Sequence, residues 1–577
     1  MPIILPEFIP DKNVGWLWRV VAVILIGVIV ISISLLACVP PVSRDALNHH
    51  LALPKLYLEK GGIFELPDRV FSYYPMNLDL LYMLPLYLGN DILAKYLHFL
   101  FALLTALLIY RYLHRRIGSG YGLFAVLLFL TLPVVLKLSI TVYVDLGLIF
   151  FSTAALLSLL KWRAPGGKLH HLVAAALWCG FALGTKYHGL IVFFVLVNLL
   201  LLLAVRKTPP GKGATRQALG AAVLFILLAL IIFSPWMIRN VLWKNNPVYP
   251  LFNSTFQSLL SNRTEKIQTA VDAVSHDNSQ SRRKARPGLN HFTYRSMAYE
   301  ESGLDIALIP LRIFFQGQDD SPKYFDGALN PLLLLLPLCA FAGIRGDPAF
   351  WRGEKKTLFS FAGLFIITIF ISVDMRVRYI LPAIPPLTIL AAYGLRNLVA
   401  MAGRQQTEFM QNTALGLICL LVALFLLPNY LYLAGLFKTV RPMSYISGQV
   451  ERDAYVEQFR PAIKVHRYAG RHLAEDAKIL GLFLGYRSYY SDRELVFNKA
   501  LFKEAVKKSA DAGAVTRHLQ AQGLTHLIVR YDLFNRWAND NFTESEKLRT
   551  QQFFNAFAPR LISGRGVGLH ALRPADA

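Results

Sequence analysis

Acidic residues are scarce in this chain. Asp and Glu number 36 against 60 Lys and Arg in 577 residues, a formal net charge of +24, and charged residues of both signs make up only 17% of the whole. Such a positive surplus would suit nucleic acid if it formed one stripe or patch. Here the basic residues stand in short tracts between apolar runs, the pattern that sets topology against anionic lipid, which argues against a nucleic-acid partner. Cysteine is equally rare. Cys38, Cys179, Cys339 and Cys419 fall inside or beside apolar runs with no metal-ligand or redox spacing, which argues against a disulfide framework and a structural zinc site. A phosphate-cradling glycine loop is also missing, so nothing points to a nucleotide.

What the chain has in abundance is hydrophobic sequence. Hydrophobic residues are 55% of the total, and about eleven stretches approach the roughly 20 residues a spanning helix requires. They lie approximately at 17–38, 91–112, 119–138, 146–162, 170–185, 188–205, 217–237, 327–344, 357–373, 379–399 and 412–434. Leu35-Leu36-Ala37-Cys38 looks like a lipoprotein processing site, but the preceding stretch is long enough to span and the chain is expected to keep it as an anchor. The composition predicts a polytopic α-helical protein of the inner (cytoplasmic) membrane over residues 1–434, followed by a small α/β domain over 435–577.

Every second short connector is basic, as with Arg111, Arg115 and Arg116, or Arg206, Lys207, Lys212 and Arg216, so those loops are expected to face the cytoplasm. The unusual polar residues then collect on the opposite side. Asp45 follows the first span in Val42-Ser43-Arg44-Asp45-Ala46-Leu47-Asn48-His49-His50, where a carboxylate and two imidazoles could do proton chemistry at the interface. It could instead cap an amphipathic interfacial helix over 46–59 with Leu47, Leu51, Pro54, Leu56 and Leu58 near lipid. Asp145 has the same two readings, a helix cap or a functional carboxylate. Lys186, Arg239, Arg376 and Arg378 break the topological rule by standing on the outer side at span ends. Such a cluster suits a phosphate, although each could also snorkel to head groups. Asp45 and His49, at i and i+4, would share a helical face and could take a divalent cation, while hydrogen bonding to substrate is the favoured role for His49 and His50.

Taken together, the acidic residue in the first outer loop, the second Asp at a span end, Ser234-Pro235-Trp236-Met237-Ile238-Arg239-Asn240 with Asn246-Pro247-Val248-Tyr249-Pro250, and Arg378-Tyr379-Ile380-Leu381-Pro382 resemble the GT-C superfamily. More narrowly, residues 1 to about 434 are similar to bacterial relatives of protein O-mannosyltransferases and of the lipid A aminoarabinose transferase. The resemblance implies an inverting transfer of a hexosyl or pentosyl group from a polyprenyl-phosphate donor to a glycan, lipid or protein acceptor at the outer membrane face. It also implies interfacial helices in the first outer loop. By the same resemblance Asp45 is the general base and Asp145 shapes the site. Many relatives carry Lys-Pro-Pro in the second half of the first outer loop, whereas this chain has Ser72-Tyr73-Tyr74-Pro75. The donor phosphate therefore falls to Lys186, Arg239, Arg376 or Arg378, with His49, His50, Tyr187 and Tyr379 as further substrate contacts. Some members of the superfamily use a divalent cation.

The segment 240–326 is expected to be a long loop with a strongly basic middle at 279–288, able to gate a site, and 303–315 to be an interfacial helix. In the terminal domain, helices are expected over 454–473 and 512–522 and strands over 478–484, 525–529 and 568–572. Arg487, Tyr489 and Tyr490 could contact carbohydrate or fill a core there. The main rival to an enzyme is a transporter or lipid-linked sugar flippase. Transporters commonly show two related halves and midplane charges, whereas this chain has no repeat between halves and gathers its charges at one surface.

Overall fold

Backbone groups in hydrocarbon must be satisfied within their own segment, so long apolar runs of this kind fold as helices. The computed structural model describes residues 15–207, 212–259, 290–342 and 347–574. Among them seven helices are long and apolar enough to cross a membrane: Trp16–Ala37, Ile92–Ile117, Asp145–Arg163, Thr215–Lys244, Ala349–Ser372, Leu381–Ala402 and Glu408–Val440. A further apolar pair, Ser119–Thr131 and Pro133–Ser139, passes the same test only when taken together and is bent by 66° at the break. Proline forces the residue before it out of the helical region, and Leu132 accordingly sits at φ −56° and ψ 129°.

Several expected boundaries move. The stretches at 170–185 and 188–205 form shorter apolar helices, Leu169–Leu183 and His188–Ala204. A full span over 327–344 does not form among the described residues; the helix there is Leu332–Cys339, with Pro331 before it and Pro337 inside. Glu408–Val440 continues past the boundary expected at 434. The basic stretch at 279–288 lies outside the described residues. Over 303–315 there are two short helices, Gly303–Ala307 and Ile309–Arg312, with Leu304, Leu308 and Leu311 exposed while Ile309 and Ile313 are buried.

The first loop is built from short pieces: a π-helical turn at Ala46–His50, then Ala52–Glu59, Val70–Tyr73, Asn77–Leu81 and Met83–Tyr87. This corrects the expectation of one lipid-facing amphipathic helix. Leu47 and Leu51 are buried in protein, and Leu47 packs against Val456, Ile463 and Tyr490 of the terminal domain. Covering the loop with that domain removes the need for lipid on its apolar side.

The terminal domain holds five strands, β1 (Lys478–Leu482), β2 (Glu494–Val496), β3 (His526–Arg530), β4 (Arg560–Gly564) and β5 (Val567–Ala571). Their order is β2-β1-β3-β5-β4. The β2-β1-β3 half is parallel and the β3-β5-β4 half antiparallel. Its expected first helix is two, Arg452–Phe459 and Ile463–His472, separated around Pro461. Tyr489 and Tyr490 serve docking. The Tyr489 N–H donates to the Leu47 carbonyl at 3.3 Å, its hydroxyl reaches Asp91 at 2.9 Å, and the Tyr490 hydroxyl donates to the Pro41 carbonyl at 2.9 Å.

Candidate active site

Among the described residues Asp145–Arg163 is the most enclosed span, and its first residue is the buried Asp145. A carboxylate there needs a partner, because an isolated buried charge costs several kcal/mol, on the order of 3–5. The partner is Lys186, in the turn between two short apolar helices, whose Nζ donates to Asp145 Oδ1 at 2.7 Å. Asp45 stands just before the π-helical turn, and Arg378 Nη1 donates to its Oδ2 at 2.7 Å. Asp45 precedes its turn without a side-chain capping bond, and Asp145 is the first residue of its helix after the N-cap Val144, so the capping alternative is corrected for both; each carboxylate instead gives one oxygen to a cation. The two pairs belong to one cluster, since Arg378 feels the charges of both Asp145 and Asp45.

Burial alone would raise the Asp45 carboxyl, but the Arg378 charge, followed by His49, holds it down at about 2. Burial and the adjacent His50 push His49 down to about 3, and burial pushes His50 down to about 4. Behind them Asp79, which the sequence did not single out, meets His50 Nδ1 at 2.6 Å with both groups buried. Burial raises Asp79 to about 8, so this pair shares one proton through neutrality. The sequence signal for Asp79 was present in Met76-Asn77-Leu78-Asp79-Leu80-Leu81: a carboxylate among leucines at a membrane edge requires a partner.

The other expected residues separate. His49 stacks on Phe71, with ring centroids 4.3 Å apart, and its buried Nδ1 has no partner. Tyr379 forms a wall beside the cations, 5.7 Å from the Arg378 guanidinium carbon and 5.9 Å from Lys186 Nζ. Tyr187 faces a neighbouring layer, donating to the Tyr249 carbonyl at 2.6 Å and accepting from Asn240 at 3.2 Å. Arg239 lies over Trp236 and Trp243 and donates to the Tyr74 carbonyl at 3.1 Å. Arg376 goes to Asp326 at 3.1 Å, so its direct partner is outside the Asp45–Asp145 cluster. Two unpredicted groups shape the cluster: the Arg378 guanidinium carbon lies 5.6 Å from the Tyr143 ring centroid, and His98 Nε2 accepts from the Leu146 N–H at 3.0 Å, fixing the start of the Asp145 helix.

A divalent ion fits these residues poorly. Arg378 and Lys186 already hold the carboxylates such an ion would need, and the described residues contain no group of three or more His, Cys, Asp or Glu arranged to hold one. The arrangement instead offers a carboxylate base beside two cations able to take an anionic group.

Residues 83–238 match the family model described as dolichyl-phosphate-mannose-protein mannosyltransferase. Among solved structures, the chain is similar to ArnT from Cupriavidus metallidurans bound to undecaprenyl phosphate, at 14% identity and a TM-score of 0.52 over 95% of this chain and 97% of that one. The apo state of the same protein matches with a TM-score of 0.54 over the same shares, also at 14% identity. The archaeal oligosaccharyltransferase AglB from Archaeoglobus fulgidus, in complex with an inhibitory peptide and a dolichol-phosphate, matches at 11% identity with a TM-score of 0.52 over 90% of this chain and 70% of that one. No curated protein sequence matches the chain. Broken and short apolar helices around a helical first loop, a five-stranded terminal domain docked on that loop, and these likenesses together show that the chain has the GT-C fold of integral membrane glycosyltransferases.

Proposed function

We propose that the protein is an inverting glycosyltransferase that moves a sugar from a polyprenyl-phosphate donor to a glycan, lipid or protein acceptor at the outer face of the cytoplasmic membrane. The observation that carries this reading is the Asp45–Arg378 contact of 2.7 Å beside the Asp145–Lys186 contact of the same length, in a cluster where Asp45 and Arg378 remain partly open. The family match and the lipid phosphates in the similar structures support the donor class.

The acceptor oxygen attacks the anomeric carbon from the face opposite the phosphate and the carbon–oxygen bond to phosphate breaks. The electron pair leaves on the polyprenyl phosphate, and Asp45 takes the acceptor proton. Lys186 and Arg378 stabilise the departing phosphate, with Arg239 or Arg376 entering if the donor reaches them. A carboxylate held at about 2 is a weak base. Donor phosphate drawing Arg378 toward itself removes the contact that holds Asp45 down, so donor binding itself raises the basicity of Asp45. His50 with Asp79, and His49, then line the space behind the base with neutral rings that can hydrogen-bond sugar hydroxyls.

The test is transfer from a panel of radiolabelled polyprenyl-phosphate sugars by purified protein, native against Asp45→Asn. The variant is expected to bind donor lipid and to lose transfer by about 10²–10⁴-fold. Native-like transfer by the variant would remove Asp45 from the role of base, and no donor consumption by the native protein with any acceptor would remove the enzyme class.

A further inference from the structure

The turn that carries Arg378 is held from behind by a group the transfer reading does not use. Arg295, on the helix His291–Tyr299, is among the largest fully buried side chains of the described residues, at 1% exposure. Its Nε and Nη2 donate to the two oxygens of Glu301 at 2.6 and 2.9 Å. Nη2 also donates to the Lys323 carbonyl at 2.8 Å, and Nη1 donates to Asp374 Oδ1 at 2.9 Å. One guanidinium thus ties together its own helix with the following Glu301, the turn around Lys323, and the 374–378 turn. A lysine, a point charge on a flexible stem, could not make that planar set of bonds.

Phe325 passes the constraint on. The guanidinium carbons of Arg295 and Arg312 lie 5.4 and 5.8 Å from the centroid of its buried ring, and its carbonyl accepts the Val377 N–H at 2.8 Å. Gly327 permits this close approach, since a Cβ there would stand 2.9 Å from the Val377 side chain. Val377 is itself fully buried, so the residue immediately before Arg378 is fixed through both its N–H and its side chain. Arg378 needs that hold, because its own side chain gives Asp45 one hydrogen bond and keeps a buried Nε without a partner. The Arg376–Asp326 contact runs beside the same turn but is more exposed and is the weaker tie.

We propose that Arg295 is a positioning residue: through Asp374 and through the Phe325 carbonyl it fixes the 374–378 turn and so aims the Arg378 guanidinium at Asp45. The consequence for transfer rests on the glycosyl-transfer reading, while the link from Arg295 to Val377 stands on these contacts alone. A misplacement of about 1 Å at a group in the reacting cluster is enough to cost about 10²-fold in rate.

The test is amide hydrogen exchange together with transfer by the full-length protein in detergent, native against Arg295→Lys. The variant is expected to speed exchange at Val377 about tenfold or more while the Leu381–Ala402 helix stays protected, which shows the fold intact. Transfer should fall about 10²-fold. In an Arg378→Gln background the same change should cost about threefold or less, because the group it aims is gone. The acid limb of the pH–rate profile should move to higher pH, since Asp45 then keeps only His49 and His50 beside it against the effect of burial. Asp374→Ala, at a side chain 24% exposed, removes only the arm to the turn; it should move exchange and transfer the same way by less, and it carries the same readouts where Arg295→Lys does not fold. Native exchange rates at Val377 in the variants overturn the link. Faster exchange with an unmoved acid limb, or with a transfer loss that multiplies in full with that of Arg378→Gln, overturns the aim at Asp45. A native protein that consumes no donor removes the transfer reading, while exchange at Val377 still upholds or overturns the link.

Discussion

At one end of the Ile92–Ile117 helix Arg116 donates through Nε and Nη2 to both oxygens of Glu354, each at 2.6 Å, and the Tyr112 hydroxyl adds a contact at 2.9 Å. At the first-loop end Arg378 gives Asp45 one contact at 2.7 Å and keeps a buried Nε with no partner. Both clusters pair a guanidinium with a carboxylate in a membrane bundle. The first is saturated, with Glu354 fully buried and both its oxygens occupied, so nothing further can bind without breaking it. The second is under-coordinated and partly open, which leaves donors available to an incoming anion. Completeness of hydrogen bonding, more than residue type, separates an ion pair closed to further ligands from one with donors to spare.

Breaking the saturated cluster should cost the most. Glu354→Gln leaves Arg116 without its charge partner and is expected to destabilise the protein by about 3–5 kcal/mol, seen as a lower Tm in detergent, while transfer per folded molecule stays near native. Arg378→Gln should do the opposite. Transfer falls about 10²–10³-fold, and the acid limb of the pH–rate profile moves to higher pH, because burial then dominates at Asp45. A large Tm loss with unchanged transfer would erase the distinction between the clusters.

Protonation of the pair behind Asp45 sharpens the comparison. Burial pushes His50 down to about 4 and Asp79 up to about 8, so the folded pair keeps one proton between those values. In the unfolded chain a histidine near 6.5 and a carboxyl near 3.8 hold none above pH 6.5. The folded state therefore binds more protons from 6.5 to 8, and stability falls as pH rises through that window. Tm measured at both ends should show the drop, and Asp79→Asn should flatten it; an unchanged slope in the variant would assign the effect elsewhere. The smallest effect is expected at Arg376, whose partner Asp326 and own side chain are both about a quarter to a third exposed. Arg376→Gln should change stability by about 0–1 kcal/mol, and a transfer loss matching that of Arg378→Gln would place it on the donor phosphate.

Much of the fold was legible because its signals are local. Apolar length announced the helices, and alternation in the terminal domain announced β1, β3 and β5. The edge strands were not seen: Glu494–Val496 has three residues, and Arg560–Gly564 is largely exposed, so neither carries a strong apolar pattern. At the candidate site the two carboxylates and their two cations stood out because charge at a span end is costly. Which cation meets which carboxylate did not, since Asp45 and Arg378 are 333 positions apart.

By itself, then, the sequence determined a helical membrane protein with a small mixed α/β domain and a set of misplaced charges, since hydropathy and desolvation cost are properties of short segments. Only the tertiary structure decided that Asp45 faces Arg378, that Asp79 stands behind His50, that Arg376 turns to Asp326, and that Tyr489 and Tyr490 clamp the terminal domain onto the first loop. Those pairings depend on which helix ends meet. That is set by the packing of the whole bundle, with the Pro133 break and the enclosed Asp145–Arg163 helix at its centre.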